Sequence, residues 1–323
     1  MPNAIRIHET GGPDAMRWET IDLSNPGPGE VRVRHTAIGL NFIDTYHRSG
    51  LYSIELPAIL GQEAAGVVEA LGPDVSGWSE GDRVAYAVGP MGAYCEARNY
   101  PADKLLKLPE EISDEVAATV MLKGMTAEYL ANRTAHLSPG DPILIHAAAG
   151  GTGLLLSQWA KHLGATVIGT VGSEEKAELA KAHGCDHVIL YRSEDVAKRV
   201  MEITDGAGVK VSYDSVGKDT FQATLDALAP MGMFVSFGQA SGPITPFVPA
   251  VLAPKCLYFT RPTLFVYNRT RQLLEASVGR LFEILSSGVV KSEVRQTYAL
   301  QDAAQAHRDL EGRQTQGATV LKP

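Results

Sequence analysis

The sequence predicts an α/β protein of two domains, with a parallel sheet and its crossover helices inserted into an irregular β-barrel. Three observations carry this. The chain of 323 residues exceeds the roughly 100–200 residues of one ordinary domain. Its texture changes at Leu137 from short β-branched runs punctuated by Gly and Pro to strands alternating with helical segments. After residue 264 the alternation ends, and the remaining segment returns to the first domain.

The elements follow from the chain in order. Up to about residue 123, runs such as VRVRHTAIG, AAGVVEALG and DRVAYAVG read as short strands joined by turns, with SNPGPGE and SEGDRV supplying turn chemistry ahead of strands. Strands are then expected at 142–148, 166–172, 187–191, 209–216, 232–238 and 257–263, because near-continuous apolar runs suit strands buried on both faces. Crossover helices are expected at 153–163, 174–183, 193–204 and 219–229, where apolar residues recur at three and four spacing, as in Val196, Val200 and Ile203. A further amphipathic helix is expected at 272–285 and a last short strand at 318–323.

Composition narrows the function classes. With 45% hydrophobic and 20% charged residues the chain is a folded globular protein. A net charge of −8 argues against nucleic acid and anionic membrane surfaces as partners. Three dispersed cysteines, Cys95, Cys185 and Cys256, form neither a disulfide framework nor a C-x-x-C zinc pair, which fits a reducing cytoplasm. The start MPNAIRIHET lacks a basic region followed by an apolar core, so no secretory signal is expected. Of two uncharged runs, 142–160 holds a glycine loop and 227–254 is interrupted by prolines, so neither reads as a membrane helix.

The strongest chemical signal is ILIHAAAGGTG at 143–153. Ala148, Gly150 and Gly153 overlay the G-x-G-x-x-G fingerprint, after an expected strand and opening an expected helix. Glycines there let the backbone approach a pyrophosphate, whose charge sits on the free N–H groups of the helix N-terminus. The second strand ends in Thr170, Val171, Gly172 and Ser173 without the tip acid that usually binds a ribose 2′-hydroxyl. Lys176 follows, able to pair with a 2′-phosphate, and Tyr191 ends the third strand. Absence of the acid and presence of the base together indicate NADPH, although Lys176 also reads as an ordinary exposed helix charge.

With these residues in view, the chain resembles the medium-chain dehydrogenase/reductase superfamily, and within it the zinc-independent, zeta-crystallin-like quinone oxidoreductases. The resemblance spans the chain and rests on GLNFIDTYHRSGLY at 39–52, GQEAAGVV at 61–68, AAAGGTG at 147–153, YDSVG at 213–217, TRP at 260–262 and TQG at 315–317. It implies a GroES-like catalytic domain over 1–124 and 265–323 and a Rossmann dinucleotide-binding domain over 125–264. Zinc enzymes of the superfamily have G-H-E where this chain has Gly61, Gln62 and Glu63, and a ligating cysteine about where Asn41 stands. Cys95 alone represents their four-cysteine lobe, so no zinc is expected. His183, Cys185, Asp186 and His187 offer possible ligands at a helix end and a strand start, where they need not converge. His146 inside the first strand reads as a core residue.

The resemblance further implies NADPH-dependent, metal-free reduction of a quinone in the cleft between the domains, by a homodimer paired through the strand near 257–263. Asn41, Tyr46 and Tyr52 are candidate hydrogen-bond donors for the charge developing on the quinone oxygen, while packing is the alternative role of the two tyrosines. Phe42, Ile43, Asp44, Thr45 and Tyr46, with Thr126 and Tyr129, are expected near the nicotinamide end. Gly150, Gly151, Thr152 and Gly153 are expected at the pyrophosphate, and Gly172, Ser173, Lys176 and Tyr191 at the adenosine phosphate. Val216, Phe237, Gly238, Gln239 and Ala240, then Pro262, Thr263 and Leu264, are expected along the ribose and nicotinamide path, with Arg313 reaching the cofactor from the other domain. Two other readings stay open: reduction of activated C=C bonds in enals, enones or enoyl thioesters, and a non-enzymatic NADPH-binding role of crystallin or RNA-interacting type.

Overall fold

The computed structural model describes residues 1–323 and divides them into two compact units. One comprises Met1–Lys123, Asn268–Phe282 and Ser292–Pro323; the other comprises Gly124–Tyr267 and Glu283–Lys291.

The first unit is built from β1 (Asn3–Ile7), β2 (Met16–Thr20), β3 (Glu30–Gly39), α1 (Phe42–Ser49), β4 (Ala58–Ile59), β5 (Glu63–Leu71), β6 (Arg83–Tyr86), β7 (Ala97–Pro101), β8 (Leu106–Lys107) and the start of α2 (Asp114–Tyr129). Strand β3 is its centre, pairing antiparallel with both β5 and β7. Along its first turn of pleat Val31 and Val33 are buried while Arg32 and Arg34 point away, the period of two that one covered face demands. Val31, Val33, Ile38, Leu60, Val84 and the rings of Tyr86, Tyr94 and Tyr100 form the core.

The second unit contains β9 (Pro142–Ile145), α3 (Gly151–His162), β10 (Thr166–Val171), α4 (Glu174–Ala182), β11 (His187–Leu190), α5 (Val196–Ile203), β12 (Val209–Asp214), α6 (Phe221–Ala227), β13 (Leu228–Ser236), β14 (Tyr258–Thr260) and α7 (Leu264–Tyr267). All its strand pairs are parallel, in the order β11-β10-β9-β12-β13-β14. This is the doubly wound order, and it reverses between β9 and β12. Leu144, Ile168, Ile189 and Phe234 from four of these strands meet Val200 and Leu225 from the helices in one core.

Beyond it come α8 (Arg271–Ser286), β15 (Val294–Ala299), α9 (Ala303–Glu311) and β16 (Ala318–Lys322). Strand β16 pairs antiparallel with β3, so the chain's end completes the sheet that its first third began. The fold is thus a parallel α/β sheet inserted into a β domain, as the sequence pattern predicts, and it has the Rossmann and GroES-like character that the resemblance implies.

Several boundaries differ, for physical reasons. The expected strand 142–148 stops at Ile145 because Ala147 takes a left-handed φ of 54°. The expected strand 209–216 stops at Asp214, whose carboxylate accepts the Val216 and Gly217 N–H groups and turns the chain. Reading residues 1 to about 123 as strands and turns misses α1 and α2. The second is apolar on nearly every side and carries no amphipathic stripe to betray its period.

Candidate active site

In the first unit the site is built on the N-terminus of α1. Asn41 is the N-cap in extended conformation, and its N–H donates to Asp44 Oδ2 at 2.9 Å. Gly50 ends the helix at φ 81°, and the Tyr52 N–H donates to the Tyr46 carbonyl at 3.0 Å, folding the GLY segment back along the helix. That return places Tyr52 edge-on to Tyr46, ring centroids 5.3 Å apart, and the Phe42 ring lies 6.4 Å from that of Tyr46. Asn41, Asp44, Thr45 and Tyr46 are buried, while Phe42, Ile43 and Tyr52 are partly exposed.

Asp44 is fully buried, and burial pushes its carboxyl up to about 7 against the opposing hydrogen bonds from Asn41 and Tyr94. Its Oδ1 has no partner. The Tyr94 hydroxyl donates to Oδ2 at 2.9 Å and also meets His307 Nε2 at 3.1 Å. His307 Nδ1 lies 2.9 Å from Arg48, whose guanidinium is bidentate to Glu311. Burial first, and then Arg48, hold His307 down at about 3, so the ring is neutral.

The Asn41 side-chain amide is engaged within the protein. Its amide nitrogen gives one hydrogen to Glu63 Oε1 at 2.9 Å and a longer contact to the Gly39 carbonyl at 3.4 Å. The Gln62 amide likewise donates to the Ala87 and Gly89 carbonyls. Both residues at the superfamily's zinc-ligand positions therefore spend their amides on protein acceptors.

In the second unit the expected cofactor residues gather at the carboxyl ends of the parallel strands, where doubly wound sheets bind ligands. Gly150 caps α3, and the Leu154 N–H is the donor that returns to its carbonyl, which leaves the N–H groups of Gly151, Thr152 and Gly153 outside the helical ladder. A Cβ on Gly153 would lie 2.8 Å from both the Cα and the carbonyl oxygen of Ala148, so only glycine lets the helix start this close to the loop. The loop is a cradle for an anion in backbone geometry.

At the next strand end, Ser173 caps α4 by accepting the Lys176 N–H. A Cβ on Gly172 would meet the Tyr191 hydroxyl at 2.7 Å and Arg192 Nε at 3.4 Å. Gly172, Ser173, Tyr191 and Arg192 thus form one surface patch, with Lys176 one turn into the helix. Arg192 is absent from the sequence reading. Its position directly after Tyr191 is the signal that could have found it.

The loops after β12 and β13 are laced together. Phe237 and Gly238 donate to the Asp214 carbonyl, Ala240 to Ser215 and Ser241 to Val216, which fixes Val216 and Gln239 on one ridge. Arg261, just past β14, donates to the Ser236 carbonyl and anchors the start of the segment with Pro262, Thr263 and Leu264. Thr126 and Tyr129 are buried on α2, where the Tyr129 ring stacks on Tyr267 at 4.4 Å. Arg313 is exposed after α9, with a left-handed φ of 59°.

The remaining sequence signals resolve as structure. His146 is buried between the hydroxyls of Thr170 and Thr224, a satisfied core residue. His183 Nδ1 binds the Leu179 carbonyl, Cys185 reaches Ser157, and Asp186 takes the Val167 N–H and Lys161, so these three turn to separate partners, and with His187 they form no group that could hold a metal ion.

A family model described as an alcohol dehydrogenase GroES-like domain matches residues 27–142, and one described as a zinc-binding dehydrogenase matches residues 151–278. The chain is 51% identical to a quinone oxidoreductase of Pseudomonas aeruginosa, covering 100% of both. It is 49% identical to a 2-haloacrylate reductase of a Burkholderia species, covering 100% of this chain and 99% of that one. A solved structure of Escherichia coli quinone oxidoreductase complexed with NADPH superposes with a TM-score of 0.97 at 46% identity, over 99% of this chain and 100% of that one. The cradle after β9, the pairing of Tyr46 on α1 with Tyr52 just beyond it, and the likeness over the full length together place this chain in the zeta-crystallin-like quinone oxidoreductase family of the medium-chain dehydrogenases/reductases.

Proposed function

We propose that this protein is an NADPH-dependent quinone oxidoreductase that works without a metal. The observation that carries the reading is likeness over the whole chain to quinone oxidoreductases, including one solved with NADPH. The residues fit that cofactor. Gly150, Gly151, Thr152 and Gly153 offer backbone N–H groups to the pyrophosphate, and the crowding at Gly153 suits a backbone-only approach. Gly172, Ser173, Lys176 and Tyr191 take the adenosine 2′-phosphate, joined by Arg192, because two cations and no tip acid favour a phosphate over a hydroxyl.

Val216, Phe237, Gly238, Gln239 and Ala240 supply backbone edges to the ribose, together with Pro262, Thr263 and Leu264. Thr126 and Tyr129, with Phe42, Ile43, Asp44 and Thr45, serve the nicotinamide end, and Arg313 adds a cation from the barrel domain. That assignment treats 1–124 with 265–323 as catalytic and 125–264 as cofactor-binding. When bound, NADPH supplies a hydride. Tyr46 and Tyr52 hold the acceptor and donate to its oxygen as charge develops, while Asn41 positions the loop through Asp44 and Glu63. A hydroquinone takes its remaining proton from water, so no tuned acid is required.

Two further points belong to the proposal. The edge strand β14 exposes Tyr258, and pairing it with a second copy would cover an edge otherwise open to aggregation, which favours a homodimer. Three unpaired cysteines suit a reducing cytoplasm, and no helix is long and apolar enough to cross a membrane.

A second reading, reduction of an activated C=C bond, is favoured by the 49% identity to a 2-haloacrylate reductase. One experiment decides between them: initial rates of NADPH and NADH oxidation by chelator-treated protein against ortho- and para-quinones, 2-alkenals, 2-haloacrylates and crotonyl-CoA. Quinone turnover selective for NADPH is expected. Turnover of the alkenes alone would replace the quinone reading.

A further inference from the structure

Next to Asn41 the structure holds a buried cation that the assigned residues leave unused. Lys123, on α2, keeps only 8% of its side-chain surface exposed, and its Nζ donates to Glu63 Oε1 at 2.8 Å. Glu63, the first residue of β5, is fully buried. Its Oε1 also accepts the Asn41 amide at 2.9 Å, and its Oε2 accepts the Leu122 N–H at 2.6 Å. The carboxylate is therefore clamped from three directions, and Lys123 and Asn41 converge on one oxygen.

An ammonium has three N–H bonds. Glu63 is the only hydrogen-bond acceptor that Lys123 has in the protein, so two of its donors are unspent in a largely desolvated place. Burying a cation in that state costs free energy unless something else accepts those hydrogens. Asn41 is not the group to meet an oxyanion here, because its own hydrogens face Glu63 and Gly39.

We infer that Lys123 is the cationic hydrogen-bond donor for the acceptor oxygen of the substrate, and that Glu63 is its positioning partner. The inference rests on the quinone reading and deepens it. In the balanced step the quinone accepts a hydride with its electron pair, the C4–H bond of the dihydronicotinamide breaks, and the nicotinamide is oxidised. The quinone is reduced to a hydroquinone monoanion whose oxygen carries the new charge until water supplies a proton. A preorganised cation aimed at that oxygen stabilises the charge as it forms, with little reorganisation in a water-poor site. Asp44 and Tyr94 are the other titratable groups electrostatically coupled to this cluster, and neither brings a positive charge to it.

The test uses nitrohydroquinone, whose ionisation is visible by absorbance, bound to the full-length protein with NADP+ and no turnover. On wild type the bound probe should favour its phenolate by at least about tenfold over the free probe, as expected for one charge-assisted hydrogen bond. Because Lys123→Met alone would strand a buried carboxylate, the variant of record is Lys123→Met with Glu63→Gln, which removes both charges together. That variant should lose the phenolate preference while NADP+ affinity, read by protein fluorescence, changes by less than about twofold. A preference that persists in the double variant overturns the inference, and so does a wild type that leaves the probe's ionisation unchanged. Quinone turnover measured beside it reports on the quinone reading separately, since a protein that reduces quinones yet shows no phenolate preference fails the first and keeps the second.

Discussion

Replacing Asp44 by Asn should change how stability depends on pH. Asp44 is fully buried, and its carboxyl stands at about 7 against an ordinary 3.8. Desolvation is the main cause and Glu63 adds to it, while the Asn41 N–H, the Tyr94 hydroxyl and Lys123 oppose it. Between those two values the native protein holds a proton that the unfolded chain has released, so stability falls as pH rises. The slope is about 1.4 kcal/mol per pH unit, and the whole effect is about 4 kcal/mol, present in full below the unfolded value and gone above about pH 7.

Asn keeps an oxygen for the Asn41 and Tyr94 donors and cannot ionise. Its amide nitrogen falls where Oδ1 has no partner, a cost of about 1–3 kcal/mol that does not depend on pH. His307, held at about 3, stays neutral throughout the range and does not confuse the reading. Urea unfolding of both proteins at pH 5 and pH 8 cancels every titration they share. The stability difference should move toward the Asn variant by about 3 kcal/mol between the two conditions. A difference that stays flat within about 0.5 kcal/mol would mean that Asp44 ionises normally, and the desolvation reasoning would be wrong.

Other outcomes follow from the same geometry. Lys176→Ala and Arg192→Ala should each weaken NADPH by about tenfold while leaving NADH within about twofold, measured as dissociation constants; equal losses for both cofactors would refute the 2′-phosphate assignment. Gly153→Ala gains about 1 kcal/mol of helix propensity but forces a Cβ against the Ala148 backbone, so NADPH affinity should drop at least about tenfold and thermal stability should fall rather than rise. Tyr46→Phe and Tyr52→Phe should lower kcat by about tenfold each with little change in cofactor affinity, and a change confined to folding stability would make them packing residues. Prolonged dialysis against a chelator should leave quinone turnover unchanged, because the Asn41 and Gln62 amides are engaged by Glu63 and by backbone carbonyls.

Where the chemistry of the chain is local, the sequence was legible. A glycine loop needs glycine whatever surrounds it, and the crowding at Gly153 is the reason in coordinates. The parallel strands were visible because burial on both faces leaves a continuous apolar run, and the crossover helices because burial on one face leaves a stripe. Their ends were less so: Ile145 and Asp214 stop their strands through one left-handed residue and one carboxylate that captures two N–H groups, events that hydropathy does not record. Helix α2 escaped because burial on nearly every side erases periodicity.

The sequence by itself determined the alternation of parallel strands and crossover helices, the anion cradle, the missing tip acid and the loss of zinc ligands, since each depends on residue types at short spacing. Tertiary structure alone decided that Arg192 stands beside Gly172, that Asn41 gives its amide to Glu63, and that Lys123 meets Glu63 across 60 positions of chain. Burial and partnership depend on which distant segments the fold packs together, and a buried charge acquires its role from those neighbours.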